Sequence, residues 1–290
     1  MTPSIEYDSP IALRRFLEER GLGMQKKFGQ NFLINRGARE HLLDALGALP
    51  GDAAWEVGPG LGSMTSALLG RGVALTAFEI DRGFAEALRE LFGGNPSFRL
   101  VEGDVLRTWK TEAERGLPRY LVGNLPYNIA ATLLATFIEE GAVFDRAVVT
   151  VQKEVARRMA AKPGDADYSS FSVLCSSAYR VSPLMTLKPG SFWPVPNVDS
   201  AAVVMERRVD ETVASLPPLF RRLVRSLFAS RRKTVRNNLE VFVASLGAGE
   251  GAAAIANQAL AEAGIDPAAR AETLDIAAFA AIAAKLEARL

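Results

Sequence analysis

The chain is poor in the side chains on which disulfide, metal and imidazole chemistry rely: its 290 residues include one cysteine and one histidine. Cys175 alone can build neither a disulfide framework nor a multi-cysteine metal site, so no metal is expected and a reducing, cytoplasmic setting fits. It lies in the apolar stretch Phe171-Ser-Val-Leu-Cys-Ser and reads as core. His41, on the helical run Arg39-Glu-His-Leu-Leu, reads as an ordinary surface or half-buried residue. No apolar run approaches the roughly 20 residues of a membrane span, and the opening residues lack the basic-then-apolar order of a signal peptide. The expectation is a soluble protein with no membrane partner.

What is present is a large apolar fraction, 49% of residues, enough for one sizeable domain and a smaller one. The net charge of +1 hides an asymmetry: residues 207 to 236 carry nine Lys or Arg against Asp210 and Glu211, a local +7 that leaves −6 for the rest. A basic segment on a mildly acidic body suits a polyanionic partner, although a solvated helix face gives the same pattern.

Ser9-Pro10 is a helix start, and Ile11, Leu13, Phe16 and Leu17 give a short amphipathic helix before the Gly21-Leu-Gly23 break. From residue 53 short apolar runs alternate with helical stretches. Ala53 to Val57, Val73 to Ile80, Phe98 to Val101, Tyr120 to Val122 and Ala147 to Val151 read as strands, Met64 to Leu69 and Arg82 to Phe92 as helices. Strands with near-continuous apolar content, alternating with helices, imply a doubly wound, mostly parallel α/β sheet. Val181 to Leu187 and Ala201 to Met205 are joined by a loop carrying Pro189, Pro194 and Pro196, too short for a crossover helix, and should form an antiparallel edge. Beyond residue 208 the period becomes helical: Leu219, Phe220, Leu223, Val224, Leu227 and Phe228 share one face, and Val235, Leu239, Phe242 and Val243 another. Residues 247 to 264 promise only a weak helix and loops, with further helices from Asp266-Pro267 and Leu274 to Leu286. The expected organisation is an N-terminal helical extension over 1–24, a Rossmann-like domain over 25–208 and a small all-α domain over 209–290.

The strand ends carry the chemistry. Glu56-Val-Gly58-Pro-Gly60-Leu-Gly62 follows the first strand and lets backbone approach a ligand where open α/β sheets bind them. About 20 residues on, Glu79 ends the next strand where an acid binds a ribose diol, and Asp104 ends the third, able to accept from an adenine amino group. These features alone leave NAD open. The fourth strand ends in Asn124-Leu125-Pro126-Tyr127-Asn128. An adenine N6 lone pair is delocalised into its ring and attacks poorly until acceptors hold both its protons. The Asn124 side-chain oxygen and the Leu125 carbonyl, fixed by Pro126, supply two, and Tyr127 supplies a ring on which the base stacks.

Seven segments, Lys26–Leu33, Glu56–Gly62, Asn124–Asn128, Gln152–Val155, Phe192–Ser200, Arg231–Leu239 and Gly264–Arg270, together resemble the ribosomal RNA adenine N6-dimethyltransferase family over nearly the whole chain. The resemblance implies a class I methyltransferase fold that uses S-adenosyl-L-methionine and releases S-adenosyl-L-homocysteine. It implies that Asn31, Leu33, Gly58, Gly60, Glu79, Asp104 and Asn124 contact that cofactor, and that Tyr127 and Phe192 sandwich a flipped adenine. Ala130-Ala131 departs from the family's more usual Ser-Thr.

The implied reaction is dimethylation of two adjacent adenosines in a hairpin loop near the 3′ end of small-subunit 16S ribosomal RNA, presented in a pre-ribosomal particle. A base in a loop leaves its stack at least cost. Arg221, Arg222, Arg225, Arg231, Arg232, Lys233 and Arg236, with Lys26 and Lys27, would grip phosphates without reading sequence. A monomer is expected. Rival readings are a large-subunit methyltransferase of the antibiotic-resistance type, which more often has Ile in place of Leu125, and an idle ribosome assembly factor. A DNA methyltransferase would need a base-reading domain that the small Arg-rich tail does not resemble.

Overall fold

The computed structural model describes residues 5–24 and 30–289. Lys26 and Lys27 lie outside the described residues. By its internal contacts the chain forms two units: Met1–Ala156 with Val181–Arg207, and Arg157–Arg180 with Arg208–Leu290.

The first unit carries, in chain order, α1 (Pro10–Glu19), β1 (Phe32–Leu33), α2 (Arg36–Leu46), β2 (Ala53–Val57), α3 (Ser63–Gly70), β3 (Ala74–Glu79), α4 (Arg82–Phe92), β4 (Phe98–Glu102), α5 (Val105–Ala113), β5 (Tyr120–Asn124), α6 (Ala130–Glu139), β6 (Arg146–Gln152) and the start of α7 (Lys153–Ala160). After α8 (Ser170–Ser176), which belongs to the second unit, come β7 (Tyr179–Leu187), β8 (Phe192–Trp193) and β9 (Ser200–Arg207). The apolar runs become strands buried on both faces: four successive residues of β2 and five of β6 are buried. Seven strands follow the order β4-β3-β2-β5-β6-β9-β7. The first five are parallel, and β9 runs antiparallel to β6, pairing Ser200 with Gln152. The expected edge is therefore present, with β9 and β7 neighbours at the end of the sheet. Trp55, Phe78, Phe137 and Phe144 fill its interior, Trp55 meeting Phe78 edge-on at 4.9 Å.

Ser9 caps α1, its hydroxyl accepting from the Ala12 N–H at 3.2 Å. Leu13, Phe16 and Leu17 then pack with Phe32, Leu61, Phe84, Ala87 and Leu91, so this segment is built into the core of the first unit. Ile11, expected on the same stripe, points to solvent at 82% exposure. Arg20 pairs with Glu90 on α4, and the buried Arg39 donates to Asp8 at 2.7 Å and to the Leu33 carbonyl at 3.4 Å.

The second unit adds α9 (Glu211–Ala214), α10 (Phe220–Leu227), α11 (Val235–Val243), α12 (Ala252–Ala263) and α13 (Ile276–Glu287). Both expected stripes are buried, except that Leu219 and Phe228 stay half-buried. Residues 157–180 join this unit because Tyr168 and Val173 enter the helical core and the Tyr168 hydroxyl donates to the Leu274 carbonyl at 2.8 Å. Alanine-rich α12 is a full 12-residue helix with Ala252, Ala256, Ala259 and Leu260 buried, while Asp266-Pro267 forms a turn and no helix. Residues 235–263 are long and apolar enough together to span a membrane. The positive φ of Gly247 and Gly249 divides them into helices of 9 and 12 residues, each well short of the roughly 20 a span requires.

Candidate active site

The strand order reverses at β2: β3 and β4 lie on one side of it, β5 and β6 on the other. The carboxyl ends of β2 and β5 therefore border a crevice that no crossover helix covers. Two glycines let the walls close on it. Gly60 has φ +59°, and a Cβ there would come within 2.7 Å of the Phe32 ring. A Cβ on Gly123 would stand 2.6 Å from the Val57 carbonyl oxygen, so only glycine lets β5 approach β2 at this point. The result is a pocket lined by Asn31, Gly58, Gly60, Glu79, Asp104, Asn124, Leu125, Pro126 and Tyr127 among others.

Two carboxylates rim it. Glu79 is 5% exposed and accepts from the Gly60 N–H at 3.2 Å and the Asp81 N–H at 2.9 Å. Burial, only partly offset by these backbone donors, pushes its pKa up to about 7. Asp104 caps α5 by accepting from the Leu106 N–H at 3.0 Å. Glu56, which opens the glycine segment, does not line the pocket. It is fully buried, one carboxylate oxygen accepts from the Thr65 hydroxyl at 2.6 Å, and burial pushes its pKa up to about 7.

At the far end Asn124 has a fixed orientation. Its Nδ2 donates to the Asn31 carbonyl at 2.5 Å, and since a carbonyl can only accept, the amide cannot be flipped. Its Oδ1 is buried and has no hydrogen-bond partner among the described residues. A buried orphan acceptor is costly and rare, and here it ends in a pocket, where a donor on a ligand can satisfy it. Tyr127 lines both this pocket and an adjoining open cavity walled by Gln30, Asn31, Gln152 and Pro194–Val198 among others. Burial raises the pKa of its phenol, whose oxygen is 2.5 Å from the Ser200 hydroxyl.

Two expected contacts are not among the residues that line either cavity. Leu33 and Phe192 are 2% and 1% exposed and lie in one apolar cluster. They face each other across the antiparallel β1–β8 pair, which turns both side chains inward. The pocket is lined instead by Phe32 and Gln30 from that segment and by Ile80 and Val105 beside the two acids. Period-two alternation separates Phe32 from Leu33 without saying which of them faces the pocket, and Ile80 stands out only once folded, as an apolar side chain left 45% exposed.

A pocket at the strand ends, with an orphan amide acceptor among its lining residues, is compatible with what comparison with known proteins finds. Ribosomal RNA adenine dimethylase sequences match residues 21–286. The chain belongs to this family. It is 48% identical over 247 residues to the ribosomal RNA small subunit methyltransferase A of Treponema denticola, covering 84% of each chain. With the protein of the same name from Treponema pallidum it shares 45% over 284 residues, 98% of each chain. In three dimensions it is similar to a dimethyladenosine transferase from Plasmodium falciparum, with TM-score 0.72 and 23% identity, covering 88% of this chain and 96% of the other. It is also similar to the 23S rRNA methyltransferase ErmE, with TM-score 0.59 and 23% identity, over 88% and 99%. At these identities the two structures establish the fold.

In this family member the seven cationic side chains singled out in the sequence are all exposed in the second unit, on α10, on α11 and in the turn between them. Arg231 donates to the carbonyls of Ala166 and Tyr168, at 3.4 and 2.8 Å. His41 is exposed, and Cys175 is fully buried, its pKa pushed up by burial.

Proposed function

We propose that the chain dimethylates N6 of two adjacent adenosines in a hairpin loop near the 3′ end of small-subunit 16S ribosomal RNA, in a late assembly particle, as a cytoplasmic monomer. The observation that carries the reading is the buried, unpartnered Asn124 Oδ1 at the end of the pocket, its direction set by Asn31. The relatives at 45–48% identity, named for the small subunit, favour that substrate. The likeness to ErmE is one of fold alone and gives the large-subunit reading no support of its own.

As a member of its family the chain is an S-adenosyl-L-methionine-dependent rRNA adenine dimethyltransferase. The pocket's residues fit that group. Glu79 is assigned the ribose diol, Asp104 the adenine amino group, and Ile80 and Val105 the faces of the purine. Gly58, Gly60, Asn31 and Asn124 border the methionine end. When bound, the cofactor supplies a methyl group on a positively charged sulfur, an electrophile that requires alignment rather than a strong base.

The chain's own part is to present N6. Asn124 Oδ1 and the Leu125 carbonyl accept its two N–H bonds and draw the lone pair out of the ring, an interaction that tightens as the nitrogen becomes tetrahedral. Pro126 holds the carbonyl in place. Tyr127 stacks on the base, while Phe192 supports the β1–β8 ribbon from the core. Transfer of one methyl leaves N6 positively charged with both its protons and the sulfur neutral. One of these acidic protons departs to solvent, the single N–H that remains still satisfies one acceptor and the amine is again nucleophilic. A second transfer at the same nitrogen, completed by loss of its last proton, follows. The helical unit grips phosphates through Arg221, Arg222, Arg225, Arg232, Lys233 and Arg236, with Arg231 divided between RNA and its own carbonyl partners.

The test is incubation with labelled cofactor and, separately, unmethylated small subunits, large subunits and a DNA duplex, followed by digestion and nucleoside identification. Dimethyladenosine at two neighbouring positions of small-subunit RNA is expected. The same nucleoside only in large-subunit RNA would favour the resistance-type reading, and monomethyladenine in DNA would overturn the substrate assignment.

A further inference from the structure

Tyr127 occupies the short connection between β5 and α6, whose backbone is well held: the Leu125 N–H donates to the Thr150 carbonyl at 3.0 Å, and the Ile129 and Ala130 N–H groups to the Pro126 carbonyl at 3.1 and 3.0 Å. None of these bonds sets the side-chain torsions of Tyr127. Its ring is half-buried and borders two cavities, and a ring free to rotate there would be a poor platform for a base. The phenol end is where it is tied, 2.5 Å from Ser200 Oγ.

Ser200 is a firm anchor. It is wholly buried at the start of β9, in register with Gln152 of β6, and lies 73 residues away in sequence. The residue before it is clamped as well: the Asp199 carbonyl accepts from the Lys153 N–H at 3.0 Å, and its carboxylate lies 3.5 Å from Lys153 Nζ. Holding its backbone at one end and its hydroxyl at the other fixes the long axis of the ring. Because a phenol donates and accepts hydrogen bonds close to its ring plane, the bond to Ser200 also biases rotation about that axis. Burial keeps the phenol protonated, which suits it to hydrogen bonding and not to proton abstraction.

We infer that Ser200 is a positioning residue for the methyl transfer, holding the Tyr127 ring at the angle at which the target adenine stacks with N6 in line. The inference rests on the reading of Tyr127 as the base platform. It also explains why the position is tyrosine and not phenylalanine, since stacking alone needs no hydroxyl.

Tyr127→Phe, Ser200→Ala and the double variant of the full chain are compared on unmethylated small subunits. Single-turnover methylation at saturating cofactor and particle should fall about 10-fold or more in each single variant, because small misplacements of a reacting group are costly. Particle affinity, cofactor affinity by calorimetry and thermal midpoint should stay near wild type, whereas a merely structural role would move the midpoint and cofactor affinity together. Ser200→Ala added to Tyr127→Phe should cost nothing more, since both remove the same bond. A wild-type rate in Tyr127→Phe overturns the inference even if Ser200→Ala does not fold, and so do additive losses in the double variant. Failure of the wild-type chain to methylate small subunits would instead overturn the underlying reading, and this inference with it.

Discussion

Replacing Asn124 by alanine should separate rate from stability in opposite senses. The substitution removes one hydrogen bond, Nδ2 to the Asn31 carbonyl at 2.5 Å, worth about 1 kcal/mol net. It also removes a buried acceptor without a partner, whose desolvation costs about 1–3 kcal/mol. The balance runs from about zero to about 2 kcal/mol in favour of the variant, so the ligand-free variant should unfold at the wild-type temperature or up to about 8 °C above it, by the usual scaling for a chain of this size. Transition-state stabilisation has no such offset. Loss of one preorganised group aimed at the reacting atom costs about 100- to 1,000-fold, or roughly 2.7–4 kcal/mol. Rapid-quench single-turnover transfer of a labelled methyl group reads the rate, and thermal scans without cofactor read the stability. A rate within threefold of wild type would refute the role of Asn124. A fall of about 2–4 °C or more in the midpoint, which loss of the hydrogen bond alone would give, would show that the orphan oxygen carries no penalty, and with it would go the argument that the oxygen waits for a donor.

Glu79 should make cofactor binding pH-dependent. Its pKa of about 7 in the ligand-free protein lies above the ordinary 4.5, so stability is highest below 4.5 and its contribution is lost as pH rises through 7. A ribose diol donates to the ionised form, so cofactor affinity should rise by up to about tenfold per pH unit from pH 5.5 to 7 and level off above that. Glu79→Gln should flatten the calorimetric profile and weaken binding at pH 8; an equally steep profile would remove Glu79 from the ribose site. Charge reversal at Arg221, Arg222 and Arg225 should weaken binding to ribosomal particles and reduce the slope of log affinity against log salt by about 0.7–0.9 for each phosphate no longer neutralised. An unchanged slope would return those arginines to a merely solvated helix face.

Much of the architecture is legible locally. Helix α4 begins and ends where its sequence signals lie, because Asp81 caps it by accepting from the Gly83 and Phe84 N–H groups and its apolar period is regular. The five parallel strands match their apolar runs to within a couple of residues, since burial on both faces leaves those runs near-continuous. Gly58, Gly60, Glu79, Asp104 and Asn124–Tyr127 all reach the pocket because a parallel sheet brings the residues just past its strand ends to one edge. Those features depend on neighbours in the chain. What the sequence left undecided depends on partners far along it. Strand alternation sends Phe32 to the pocket and Leu33 to the core, but which parity prevails is decided by pairing with Phe192 and Trp193, some 160 residues on. The same pairing buries Phe192 away from the site expected of it. Residues 157–180 join the helical unit, and the segment around α1 becomes part of the first core, through apolar packing that no local period reveals. The direction of the Asn124 amide and the anchoring of Tyr127 on Ser200 are likewise tertiary. A side chain's identity determines what it can donate or accept, and only the folded surroundings decide which of its atoms is left waiting.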